Sequence, residues 1–76
     1  MKLKEMRKAR GLSQSQLAEK TGINVRTLQH YEQGSKNFDN ARIDTILRVC
    51  IALDCKLKDV IENAHYIELL EQYEKQ

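Results

Sequence analysis

Apolar residues recur along this chain at intervals of three and four, and nowhere do they alternate over a stretch long enough for a strand. Leu3, Met6 and Arg7 share one face of a first predicted helix, Lys2–Arg10, which Gly11 ends in a left-handed conformation. Ser13 then serves as an N-cap, with Gln16 completing a capping box, for a second helix over Gln14–Lys20. Leu17 and Ala18 face inward from it, the alanine allowing another helix to come close, and Gly22 ends it. Asn24 caps a third helix, Val25–Gln33, with Leu28 and Tyr31 inward and Gly34 as its stop.

Ser35–Asn40 is polar and without periodicity, so it reads as a loop, pinned to the core by Phe38. Asp39 or Asn40 caps a fourth helix reaching Leu53, whose predicted buried stripe is Ile43, Ile46, Leu47, Cys50 and Leu53, followed by Asp54 as a left-handed turn residue. Leu57, Val60 and Ile61 mark a short fifth helix, Leu57–Glu62. Asn63 precedes a sixth, Ala64–Glu74, in which Tyr66, Leu69, Leu70 and Tyr73 fall at i, i+3, i+4 and i+7. The expectation is an all-α domain, with residues 1–62 forming its body and 63–76 a C-terminal helix. That helix either packs a second copy of the chain or folds back to cap its own core.

Composition narrows the function classes. Seventy-six residues suffice for one small domain with an economical core. No apolar run approaches the ~20 residues needed to cross a bilayer. The basic start MKLKEMRKAR has no apolar stretch behind it, so it is no secretory signal, and a cytoplasmic location is expected. Cys50 and Cys55, five positions apart, match no common zinc spacing. Cys50 reads as a small buried hydrophobe and Cys55 as a loop residue, against the alternative of a disulfide or metal site. No metal and no cofactor is expected. An enzyme is not indicated either, because no nucleophile is grouped with a base and Asp39, Asp44 and His30 fall on separate elements.

The net charge of +2 is a weak argument for any partner, but its distribution is uneven. Met1–Arg10 carries five basic residues against one acidic, and Ile61–Gln76 four glutamates against one lysine. Such a domain can offer one basic face to a polyanion, unless both runs are merely solvated.

Two short helices joined by a glycine turn, with the order R-x-x-x-G-L-S-Q-x-x-L-A-x-x-x-G-I-x-x-x-x-L-x-x-Y-E-x-G from Arg7 to Gly34, resemble the phage-repressor-like, or XRE-type, helix-turn-helix family. The resemblance continues more loosely through Ile43–Ile61, and the segment from Asn63 lies outside it. It implies a compact five-helix, lambda-repressor-like DNA-binding domain with an extra C-terminal amphipathic helix. It implies that Val25–Gln33 enters the major groove, where Val25, Arg26, Thr27 and His30 meet the bases, with Gln29 more lateral. Arg26 is suited to a bidentate contact with guanine, or else to phosphate; Val25 and Thr27 to a thymine methyl; His30 to donating to a base or phosphate.

Gln14, at the start of the second helix, stands where family members contact phosphate, and a helix N-terminus favours an anion, against the alternative of an ordinary polar first-turn residue; Ser13 beside it is a further phosphate candidate. Lys36 and Asn37 are further phosphate candidates. The family also pairs a basic residue at the Arg7 position with a glutamate at the Glu32 position, which would brace the third helix against the first; alternatively Arg7 joins the basic face. Where the family offers a Ser, Thr or Asp cap before its fifth helix, this chain has Lys56.

The function implied is a sequence-specific double-stranded DNA-binding regulator, most simply a repressor, acting as a homodimer with Tyr66, Leu69, Leu70 and Tyr73 as its seam. The alternative is an antitoxin or other protein-interaction module, with a toxin as its partner.

Overall fold

Five α-helices and two 3-10 turns make up the computed structural model, which describes residues 1–76. The helices are α1 (Lys2–Ala9), α2 (Gln14–Thr21), α3 (Val25–Gln33), α4 (Ile43–Leu53) and α5 (Ala64–Glu74), and the 3-10 turns are Phe38–Asn40 and Leu57–Asp59.

The first half forms as its local chemistry dictates. Ser13 Oγ accepts from Gln16 N–H at 3.1 Å, while Gln16 Oε1 accepts from Ser13 N–H at 2.8 Å, so both halves of the capping box are closed. Gly22 ends α2 and Gly34 ends α3 at φ of 74° and 82°, where a Cβ is disfavoured. Between α2 and α3 the Thr21 hydroxyl donates to Leu17 O at 2.8 Å and accepts from Ile23 N–H at 3.3 Å, fixing the turn from inside.

One core joins every element. Leu3, Leu17, Leu28, Val49 and Leu53 are wholly inaccessible, and Ala18, Tyr31, Phe38, Ile46, Cys50, Val60 and Ile61 are buried around them. Phe38 sets its ring edge-on to Tyr31, with centroids 5.3 Å apart, and so anchors the polar loop.

The second half departs from the sequence expectation in three places. The buried stripe of α4 is Ile46, Val49, Cys50 and Leu53, whereas Ile43 and Leu47 lie outside the core, 63% and 43% exposed. Apolar residues occupy most of the circumference of α4, so its periodicity did not single out one face. The cap of α4 is Arg42, with no side-chain hydrogen bond, because Asp39 and Asn40 are engaged elsewhere. Asp39 accepts the N–H groups of Glu62 and Asn63 at 3.1 and 2.8 Å, and Asn40 Oδ1 accepts the Tyr66 hydroxyl at 2.7 Å.

That diversion also accounts for the third difference. The expected helix over Leu57–Glu62 is a single 3-10 turn, Leu57–Asp59. The Asp59 carboxylate turns back to Lys56 N–H at 2.9 Å, and Asp39 draws the Glu62 and Asn63 amides out of any continuing helix. Asn63 then caps α5, accepting from His65 and Tyr66 N–H at 2.9 and 3.3 Å. Tyr66 and Ile67 pack against the core, while Leu69 and Tyr73 stay 48% and 71% exposed.

Candidate nucleic-acid interface

Helix α3 presents one outward face between fixed ends. Asn24 Oδ1 accepts from Arg26 N–H at 2.8 Å, and Gly34 closes the far end. With Leu28 and Tyr31 inward, helical spacing puts Arg26 and His30, one turn apart, on the opposite side, and both are exposed. Val25 is 37% exposed at the leading end, and Thr27 and Gln29 are half-buried at the flanks. Gln33 shares the outward face one turn after His30 and was not singled out from the sequence; its exposure and spacing are the signal that places it there.

Arg7 and Glu32 meet at the back of α3. Arg7 Nε and Nη2 donate to the two Glu32 oxygens at 2.7 and 2.9 Å, and Nη1 donates to Leu12 O at 2.8 Å. Gln14 Nε2 adds a bond to Glu32 Oε1 at 3.0 Å. The Arg7 and Glu32 side chains are 9% and 2% exposed. Burial by itself would raise the Glu32 pKa, but the hydrogen bonds from Arg7 and Gln14, with the charges of Arg7 and Lys4, hold it below the ordinary carboxylate value. The bond to Glu32 raises the Arg7 pKa further, against the effect of its own burial. Three helices thus converge on one carboxylate near the C-terminal end of α3, while Val25 and Arg26 at its N-terminal end are exposed.

The phosphate candidates divide. Gln16 N–H is taken by Ser13, leaving the Gln14 and Ser15 N–H groups in the first turn of α2 without an intrahelical acceptor, the arrangement that suits an anion. The Gln14 amide is partly committed to Glu32. Lys36 is exposed just past α3. Asn37 Oδ1 caps the Phe38–Asn40 turn, accepting from Asp39 N–H at 3.0 Å, so its oxygen is occupied.

The basic N-terminal run is not one basic face. Arg7 is buried in the pair described above, and Arg10 donates to Leu53 O at 2.7 Å and Asp54 O at 3.2 Å, closing the C-terminal end of α4. Lys2 Nζ donates to Ile61 O at 3.0 Å and Lys58 O at 3.3 Å. Only Lys4 and Lys8 of that run are free of such contacts.

A second surface lies away from α3. Ile43, Leu57, Ile61, Tyr66, Leu69 and Tyr73 line an apolar groove of about 330 Å³ between α4 and α5. Leu57 continues it to Leu47 and Ile51, the latter 79% exposed. Both cysteines are free; Cys50 is buried, its thiol pushed up to about 12 chiefly by that burial, and Cys55 is half-buried. No three His, Cys, Asp or Glu side chains gather in a way that would hold a metal ion. No helix is long and apolar enough to cross a membrane.

A family model described as helix-turn-helix matches residues 3–60. No curated protein and no solved structure matches the chain.

Proposed function

This chain belongs to the XRE-type helix-turn-helix family of DNA-binding regulators, and on that premise we propose that it is a sequence-specific repressor that reads the major groove with α3. The observation that carries the reading is the outward face of α3. Arg26 and His30 stand exposed in register at one turn, with Val25 and Thr27 ahead of and beside them, on a helix braced from behind by Arg7 and Glu32. A groove about 12 Å wide admits one such helix, N-terminal residues foremost. Arg26 reads guanine; Val25 and Thr27 pack on thymine methyls; Gln29 reaches a base or the backbone. The first turn of α2 at Ser13 and Gln14, together with Lys36, takes phosphates and sets the register. Asn37 contributes to phosphate only through its amide nitrogen. Residues 1–62 form the DNA-binding unit, and the protein works beside its DNA in the cytoplasm.

Residues 63–76 complete a homodimer. Five of the six large hydrophobic side chains left exposed, Ile43, Leu47, Ile51, Leu69 and Tyr73, lie on α4 and α5 rather than scattered over the molecule. The seam of Tyr66, Leu69, Leu70 and Tyr73 is therefore wider than α5 alone. A second copy fits it because the chain carries both signs beside its apolar strip. Arg42 and Arg48 flank α4 with side chains 84% and 59% exposed, two cations sharing the single carboxylate of Asp44, and Glu68, Glu71 and Glu74 on α5 make no ion pair within the chain. A two-fold pairing of α4 with the partner's α5 sets those glutamates against the surplus positive charge of α4. Two recognition helices about 34 Å apart then read a palindromic site.

A salt titration against duplexes selected from a random pool tests the reading. Specific binding that falls steeply with salt is expected. Arg26→Ala should relax the preference at one position by roughly 1–3 kcal/mol, whereas Lys36→Ala should weaken all duplexes alike and lower the salt slope by about one. Equal binding to every sequence would overturn it. For the dimer, light scattering should give twice the chain mass, and Ile51→Glu and Leu69→Glu the single mass. A wild-type chain that stays monomeric overturns the homodimer. One-to-one binding of a purified toxin at this face, with weak DNA binding, favours the antitoxin reading instead.

A further inference from the structure

The His30 ring is held by a residue outside the helix it belongs to. His30 Nδ1 lies 2.9 Å from Ser35 Oγ, and the same hydroxyl lies 3.3 Å from the His30 carbonyl oxygen. That carbonyl is beyond the reach of the helical ladder, because Gly34 N–H bonds to Tyr31 O at 3.2 Å instead. It accepts Lys36 N–H at 3.2 Å and has a second lone pair for the Ser35 hydroxyl.

Ser35 has one hydrogen to give. If it goes to the carbonyl, the Oγ lone pair faces the ring, and a second bond forms only when Nδ1 carries the imidazole hydrogen. If it goes to Nδ1, the carbonyl contact is lost and the group makes one bond instead of two. The arrangement with more bonds favours one tautomer: hydrogen on Nδ1, bare lone pair on Nε2.

We propose that Ser35 is a positioning residue that makes neutral His30 a hydrogen-bond acceptor toward DNA, so that it selects an amino-bearing base edge, the N4 amino of cytosine or the N6 amino of adenine. These are the two donors the major groove offers; guanine presents only acceptors there, and thymine an acceptor and a methyl. The sequence pointed to the opposite polarity, with His30 as a donor. The difference comes from a serine five residues on, brought back over the end of α3 by the turn at Gly34. The inference rests on the reading of α3 as the base-reading helix.

The test has two arms, both at about pH 8, alkaline of the ordinary imidazole range. In long-range proton–nitrogen spectra of the free protein, with His65→Gln to assign the other ring, His30 should carry its hydrogen on Nδ1. Ser35→Ala should move it to Nε2, and Ser35→Thr, which keeps the hydroxyl, should restore it. In selection from random duplexes, the position whose preference disappears in His30→Ala should hold adenine or cytosine. Ser35→Ala should shrink the discrimination of that base over guanine by about fivefold or more, the scale of one hydrogen bond, and Ser35→Thr should recover it.

Hydrogen on Nε2 in the wild type, guanine at the His30 position, or a preference indifferent to Ser35→Ala would each overturn the proposal. A wild type that selects no sequence at all overturns the reading of α3 as well. The spectra still decide the tautomer in that case, so the two failures are told apart.

Discussion

Replacing Arg7 with methionine keeps most of the side-chain volume and removes the cation, leaving the Glu32 carboxyl 2% exposed with only Gln14 as a donor. Three hydrogen bonds disappear, two to Glu32 and one to Leu12 O. Stranding one partner of a buried pair costs about 3–5 kcal/mol. A domain of this size has roughly 4–11 kcal/mol in total, so the variant should melt at least about 12 °C lower, at roughly 4 °C or more per kcal/mol.

The pH dependence identifies the cause. In the wild type the Glu32 pKa is depressed, so its stabilising contribution is present at neutral pH and is lost as pH falls through the folded-state value. In Arg7→Met burial is no longer offset, the Glu32 pKa rises, and the variant regains stability by protonating. The gap between the two proteins should therefore be widest near pH 7 and should narrow on acidification toward about pH 4. Urea unfolding at several pH values, read by circular dichroism, measures it. Arg7→Met combined with Glu32→Leu should recover most of the loss, because no unpaired charge remains. A loss under about 1 kcal/mol, the scale of an exposed pair, or a gap independent of pH, would refute the reasoning.

Gly22→Ala should cost about 1 kcal/mol in thermal unfolding. The new Cβ meets only Arg48 Nη1 at 4.0 Å, so the cost is the left-handed backbone and not a clash. Asp39→Ala removes the acceptor of two amides at the approach to α5. Hydrogen exchange should quicken in α5 by the equivalent of about 1–3 kcal/mol, while α1 to α4 keep their protection. Arg10→Ala should lower the melting temperature through the exposed carbonyl end of α4, by about 1 kcal/mol, and leave the salt slope of DNA binding unchanged, because its guanidinium is committed to the Leu53 and Asp54 carbonyls.

Up to Gly34 the sequence by itself determined the structure nearly residue by residue. Caps, glycine stops and a single inward pair on each helix are local signals, and a helix with few apolar residues has only one face it can bury. The Glu32 position was legible through the family pattern, though the share of Gln14 in that site was not. Beyond Gly34 the local signals compete. Helix α4 has apolar residues on most of its surface, and only the packing of α2, Phe38 and the Leu57–Asp59 turn decided that Val49 is buried and that Ile43 and Leu47 are not.

The side chains whose partners are distant in sequence were likewise settled by the fold. Asp39 looked like a helix cap and instead reaches Glu62 and Asn63; Arg10 looked like part of a basic face and instead closes α4. Ser35 carried no signal at all until the chain reversed at Gly34 and set its hydroxyl against His30. Short-range hydrogen bonding and the helical period act within a few residues and can be read in order. Which of several equally apolar faces is covered, and where a charged or hydroxyl side chain finds its partner, depends on elements 5 to 25 or more residues away.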